Sequence, residues 1–142
     1  MGIELYWDNH DQTVMLCEVD KHWTWDEMDA LLEKVKRTTD KAPAPLGAIL
    51  DLTRGVHFPG GSFLTPAALS RARKMLKMGE GEQQGPVAVV GASPLIRTIY
   101  GTLQKMDKES LSNVSFAVTV EEARAVMQAH HYQYTPAAPQ EQ

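Results

Sequence analysis

One short segment, residues 46–52, constrains the fold of this chain more than any other feature. It reads Leu-Gly-Ala-Ile-Leu-Asp-Leu, is almost uniformly apolar, and follows a break made by Pro43 and Pro45. A strand buried on both faces has this pattern, and both faces of a sheet are covered when helices connect parallel strands. The chain is therefore expected to fold around a central parallel strand.

Amphipathic helical patterns alternate with such apolar runs along the chain. Thr24 and Glu27 have the spacing of a capping box, and an apolar stripe with the helical period follows them. Proline at a first helical position predicts further helices at Pro66 and Pro94, and Thr119 predicts a fourth as its N-cap. Strands are predicted at residues 3–8, 12–19, 46–52, 86–91 and 114–118.

The resulting order of elements is ββαβαβαβα, without an internal repeat. Strands that alternate with helices form parallel neighbours joined by right-handed crossovers, and the turn at residues 9–11 predicts one antiparallel strand near the start. The predicted fold class is therefore α/β: a single domain with a mixed, mostly parallel five-stranded sheet and about four flanking helices.

Length and composition indicate one domain. A chain of 142 residues that is 43% hydrophobic can bury its own core, and the domain is predicted to span residues 1–131. Residues 132–142, rich in Pro, Ala and Gln, are predicted to form a disordered tail.

Charge and cysteine usage restrict the environment and the partners. Cys17 is the only cysteine, which excludes an internal disulfide and fits a reducing compartment. No basic leader and no membrane-length apolar run occurs, so a cytoplasmic protein without integral membrane association is expected. Because 18 acidic side chains outnumber 14 basic ones, the protein should repel phosphate backbones, and no nucleic-acid partner is expected.

The first candidate contact surface is the loop at residues 53–63. Ligands and partners of an open α/β sheet tend to meet the loops at the carboxyl ends of the parallel strands. This loop combines a cation, an imidazole, hydroxyl groups and aromatic rings, carried by Thr53, Arg54, His57, Phe58, Ser62 and Phe63. The alternative is structural, with the two phenylalanines closing the end of the core.

The second candidate is the helix start at residues 91–97, with Ser93 and Arg97. The free N–H groups of a helix N-terminus can receive a phosphate or carboxylate group. The glycine spacing of a phosphate-binding loop or a dinucleotide fold is missing, however. Ordinary capping by Ser93 with a solvated Arg97 is the alternative.

No catalytic or metal-binding constellation is recognisable in the sequence. Cys17 lies within a predicted strand without an adjacent base, and Ser62 is not part of a Gly-x-Ser-x-Gly elbow. Asp51 is interpreted as a structural acceptor rather than a catalytic acid. The five histidines do not have metal-ligand spacing. A protein without enzymatic activity, metal or cofactor is therefore expected.

Three segments, residues 23–27, 49–53 and 119–123, together with the order of elements, resemble the STAS superfamily, especially the bacterial STAS-like proteins related to anti-sigma-factor antagonists. The resemblance covers nearly all of residues 3–127. It implies a mixed sheet flanked by helices and a function in binding partners rather than in catalysis.

The resemblance also implies a site of regulation. In regulatory members, a strand ending in Leu-Asp-Leu-Ser precedes a loop with Asp-Ser-Ser-Gly, whose serine a partner kinase phosphorylates. Here residues 50–53 match the strand, but Gly-Gly-Ser-Phe at residues 60–63 replaces the motif, so only Ser62 corresponds to a phospho-acceptor.

The expected function is a regulatory or protein-interaction module, with a kinase-like or sensor protein as partner. The alternative is a binding protein for a small molecule, either an anion at Ser93 and Arg97 or an acyl chain in an apolar cleft. A homodimer could form through the first strand, although Glu4 and Asp8 would oppose such pairing.

Overall fold

The computed structural model describes residues 2–54, 66–78, 84–106 and 111–134. These ranges contain five strands and four helices in the predicted order, and the α/β fold class is confirmed. The elements are β1 (Ile3–Trp7), β2 (Val14–Val19), α1 (Trp25–Lys41), β3 (Leu46–Asp51), α2 (Pro66–Lys77), β4 (Gln84–Val90), α3 (Pro94–Met106), β5 (Val114–Ala117) and α4 (Val120–Ala129).

The strands form a single sheet in the order β1-β2-β3-β4-β5. β1 is antiparallel to β2, and every other neighbouring pair is parallel. The carboxyl ends of β2 to β5 therefore lie at one edge of the sheet, called here the carboxyl edge, and their amino ends lie at the opposite edge, called the amino edge. β1 lies at the side of the sheet, as predicted.

The helices divide between the two faces of the sheet. Buried residues of α1, α2 and α3, such as Met28, Leu76 and Ile99, share one core cluster with the sheet. Met127 of α4 belongs to a second cluster on the other face, with Ile49 and Val90. Successive right-handed crossovers between adjacent strands place their helices on the same face, and only the last helix is free to cover the other.

The start of α1 forms as the sequence predicts. Thr24 Oγ1 accepts a hydrogen bond from Glu27 N at 3.1 Å, and Glu27 Oε1 accepts one from Thr24 N at 3.1 Å. Glu27 Oε2 also accepts from Gly2 N at 2.7 Å, which joins the beginning of the chain to this helix. The hydrogen bond from Gly2 lowers the pKa of Glu27, assisted by those from Thr24.

The end of the described chain corrects the predicted domain limit. Tyr132 and Tyr134 pack against the second core cluster, and the Tyr132 hydroxyl donates to Pro45 O at 2.7 Å. The prediction of disorder is therefore wrong for residues 132–134, because two aromatic rings gain more from burial than a Pro- and Ala-rich composition suggests. Residues 135–142 lie outside the described ranges. Residues 131–134 are called the C-terminal strap below.

No helix in the described parts of the chain is long and apolar enough to span a lipid bilayer.

Candidate functional site

The carboxyl edge brings together the ends of three neighbouring strands. Leu52 N donates to Val90 O at 2.9 Å, and Gly91 N donates to Ala117 O at 3.1 Å. Gly91 has a φ of +72°, and a Cβ atom there would lie 2.8 Å from Thr53 Cγ2. Glycine is therefore needed at this position both for its backbone conformation and for the close approach of Thr53.

Asp51 holds the turn that follows β3. Its side chain is buried, with a residue exposure of 8%, and its Oδ1 accepts hydrogen bonds from Thr53 N at 2.9 Å and Thr53 Oγ1 at 2.7 Å. A buried carboxylate needs such partners. These contacts are those of a structural acceptor that fixes Thr53 at the edge.

Ser93 and Arg97 both take part in local contacts at the start of α3. Ser93 Oγ accepts a hydrogen bond from Ile96 N at 3.4 Å, as an N-cap does. The Arg97 guanidinium lies 4.8 Å from the centre of the Phe116 ring, and that ring makes an edge-to-face contact with Tyr100 at 4.9 Å. Arg97 therefore remains exposed but is held in place through a cation–π contact.

Two further groups at this edge are a cation and an exposed aliphatic side chain. Arg54 points toward β2, where its Nη2 lies 3.9 Å from Glu18 Oε1. Val118, directly after β5, is 71% exposed. Sequence reasoning did not select Val118, because one apolar residue at a strand end gives no signal of exposure.

Four predicted contact residues, His57, Phe58, Ser62 and Phe63, lie outside the described ranges. Their part in a site, including Ser62 as a phospho-acceptor, stays a prediction.

Cys17 is not available as a nucleophile. It is fully buried in β2, and burial, followed by the nearby charges of Asp51 and Glu18, raises the pKa of its thiol to about 12. A thiol with this pKa is protonated at neutral pH, whereas the thiolate is the reactive form. Among the described residues, no three or more His, Cys, Asp and Glu side chains are grouped so that they could hold a metal ion.

The amino edge carries a cavity that the sequence did not predict. It has a volume of about 600 Å³ and lies between the β1–β2 turn, the end of α1, the α1–β3 loop and the C-terminal strap. Its lining residues are Trp7, Asp11, Gln12, Thr13, Thr38, Lys41, Ala42, Pro43, Ala44, Pro45, Leu46, His131, Tyr132 and Gln133. Seven of these fourteen residues are aliphatic, proline, tryptophan or tyrosine, and the other seven are polar or charged. Sequence reasoning missed this site because its walls come from four separate segments.

A network of polar contacts holds the strap beside this cavity. Asn9 Nδ2 donates to Gln133 O at 2.8 Å and to Thr13 Oγ1 at 2.6 Å. Asp8 receives a hydrogen bond from the Tyr134 hydroxyl at 2.6 Å, and Arg124 Nε and Nη2 donate to its two oxygens at 3.0 and 2.8 Å. The hydrogen bond to Asp8 raises the pKa of Arg124, while burial opposes this shift. These contacts therefore hold the end of the strap, at Gln133 and Tyr134.

No family model matches the chain, and no curated protein matches it significantly.

Proposed function

We propose that this chain is a STAS-like, non-enzymatic regulatory module that acts by binding a protein partner at the carboxyl edge. The observation that carries the proposal is the convergence at this edge of Thr53, Arg97 and Val118, which are exposed and follow β3, β4 and β5. The mixed sheet with helices on both faces is the architecture that the resemblance to the STAS superfamily implies, and it supports the proposal.

The chemistry of the edge suits a protein interface. Interfaces combine an apolar centre with arginine side chains, which bind carboxylates through a planar fork of donors. Val118 supplies exposed apolar surface, and Arg54 and Arg97 supply cations at the same edge. Because Arg97 already rests on Phe116, less side-chain freedom is lost when a partner binds. An acidic surface on a kinase-like or sensor protein is the complementary partner.

The groups that could have taken part in catalysis are engaged in structural roles or buried, and this favours a binding function. Asp51 is engaged by Thr53, Ser93 caps α3, and the Cys17 thiol is buried and protonated. Each of these side chains therefore has a structural contact that accounts for its position.

The test requires a purified partner and variants of the edge. A partner captured with the protein is purified, and its affinity is measured by calorimetry for the unchanged protein and for Arg97→Glu and Val118→Asp. Each variant is expected to weaken binding by roughly tenfold or more, because interface energy concentrates in a few central residues. Lys36→Glu, on the outer side of α1 and paired with Asp40, is the matched control and should leave the affinity unchanged. A double variant, Arg97→Glu with Val118→Asp, that binds as tightly as the unchanged protein would refute the proposal.

A second candidate function, the binding of a small molecule, is favoured by the cavity of about 600 Å³ at the amino edge. Small-molecule sites have volumes of roughly 300–1,000 Å³ and mostly apolar walls with a few polar groups. The anion site predicted at Ser93 and Arg97 is not favoured in the same way, because the Ser93 hydroxyl already accepts a hydrogen bond from Ile96 N at the start of α3.

A further inference from the structure

A smaller cavity of about 250 Å³ lies next to the cavity at the amino edge. The smaller cavity lies along β1 and is lined by Leu5, Tyr6, Trp7, Met15, Lys34 and Thr38. Trp7 and Thr38 line both cavities, so the two spaces adjoin. Together they form a cleft between α1 and the end of β1, called here the amino-edge cleft.

One wall of this cleft is positively charged. Lys34, Thr38 and Lys41 are spaced by four and three residues on α1, so they lie on the same side of the helix. Lys34 and Lys41 form no ion pair with any other described residue, whereas the neighbouring Lys36 is paired with Asp40 at 3.0 Å. In a chain with a net charge of −4, these two ammonium groups stand beside a largely apolar cleft.

The other walls are partly apolar, although Asp11 also lines the larger cavity. Trp7 is 40% exposed, although a large aromatic side chain gains free energy when it is covered. Pro43 and Pro45 also line the larger cavity, and the hydrogen bond that the Tyr132 hydroxyl donates to Pro45 O holds their loop in place. A ligand would therefore meet a surface that is already ordered, which lowers the entropy lost on binding.

The backbone of this region is also conformationally strained. Gln12 and His131 both line the larger cavity and have φ values of +57° and +73°. Residues other than glycine rarely occupy this left-handed region, and such strain is concentrated at ligand-binding sites and tight turns.

We propose that the amino-edge cleft binds a small amphipathic monocarboxylate, whose apolar body lies against Trp7 and the prolines and whose carboxylate lies between Lys34 and Lys41. The inference rests on the second candidate function and is independent of the partner proposed for the carboxyl edge. The apolar body can be an acyl chain or an aromatic ring system, since both share the chemistry that the cleft recognises.

The experiment compares four probes that differ in charge and shape. Decanoate and 1-naphthaleneacetate represent acyl and aromatic carboxylates, while decanol and decyltrimethylammonium are the neutral and cationic counterparts of decanoate. Each probe is titrated, below its micelle-forming concentration, into the full-length protein, and binding is followed by calorimetry and tryptophan fluorescence. At least one carboxylate is expected to bind saturably and more tightly than decanol, and the cation is expected not to bind.

Variants of the full-length protein locate the site. Lys34→Gln with Lys41→Gln should weaken carboxylate binding by roughly tenfold or more, because two charge-assisted contacts are removed. Lys36→Gln is the matched control and should leave the affinity unchanged. The fluorescence change should disappear in Trp7→Phe, because neither of the other two tryptophans, Trp23 and Trp25, lines either cavity. Circular dichroism checks that each variant is folded.

The outcomes distinguish failure of the carboxylate assignment from failure of the second candidate function. Decanol binding as tightly as decanoate, or a double lysine variant with unchanged affinity, would overturn the carboxylate assignment but leave a small-molecule site. Failure of all four probes to bind at about 1 mM would overturn both. Val118→Asp should leave carboxylate affinity unchanged, so a loss of partner binding in that variant concerns only the carboxyl edge.

Discussion

At the scale of single residues, side chains with reactive groups are engaged in holding the carboxyl edge together. Asp51 accepts two hydrogen bonds from Thr53, and Ser93 accepts one from Ile96 N. The sequence supports these structural roles, because a carboxylate at the end of an apolar strand and a serine before a helix need local donors. It did not reveal that Arg97 would rest on Phe116, which comes from a different element.

The thiol of Cys17 provides a prediction at this scale. Its pKa of about 12, compared with an ordinary value of 9.0, leaves about a thousandfold less thiolate at pH 8 in the folded protein than in the unfolded chain. Alkylation with iodoacetamide should therefore be at least about a thousandfold slower in buffer than in denaturant, with the modified fraction measured by mass spectrometry. Rates within tenfold of each other would show that the thiol is accessible and ionised.

At the scale of the elements, the end of α4 shows a cap with an unusual residue. Tyr132 N donates to Met127 O at 3.1 Å and His131 N donates to Gln128 O at 2.9 Å, the bond pattern of a Schellman motif. His131 stands at the position that glycine usually fills and has a φ of +73°. The preceding His130 has a φ of −94°, which any residue adopts.

The two adjacent histidines give a matched pair for a stability measurement. His131→Gly should raise the free energy of unfolding by up to about 1 kcal/mol, because glycine removes the strain of the left-handed conformation. His130→Gly should lower it by about 0.5–1 kcal/mol, because glycine there only adds freedom to the unfolded chain. Urea unfolding of both variants measures the difference, and a decrease of equal size in both would show that the left-handed position is not strained.

At the scale of the whole molecule, the C-terminal strap joins the last helix to the first hairpin. The Asp8 side chain is only 2% exposed and is bound by Arg124 and Tyr134, residues that lie more than a hundred positions away in sequence. The strap also completes one wall of the amino-edge cleft through Tyr132 and Gln133.

Removing the charge of Arg124 should therefore destabilise the whole fold. Arg124→Met keeps the aliphatic stem but leaves the Asp8 carboxylate buried without its cation, and a loss of about 2 kcal/mol is expected. This is below the roughly 3–5 kcal/mol of a fully buried pair, because the Arg124 side chain is 41% exposed. The matched control Arg37→Met removes an exposed pair with Glu33 at 3.8 Å and should cost less than about 0.5 kcal/mol. Equal losses in urea unfolding would mean that burial of Asp8 does not matter.

Local patterns in the sequence were sufficient to predict the alternation of strands and helices, the two-sided burial of β3 and the start of α1. These features depend on the period of apolar residues and on capping groups within a few positions of one another, so a local pattern is sufficient. The predicted limits of the five strands differ from the observed limits by at most two residues.

The position of the cavity, in contrast, depends on the tertiary structure. The amino-edge cleft arises because the antiparallel β1 ends beside the start of β2, and because the C-terminal strap returns to that edge. Its walls come from segments that are distant in sequence, and their proximity is set by strand order and long-range packing. A periodic pattern in the sequence carries no information on such proximity. The sequence could therefore place Thr53 and Arg97 at the carboxyl edge, but it could not predict the cleft.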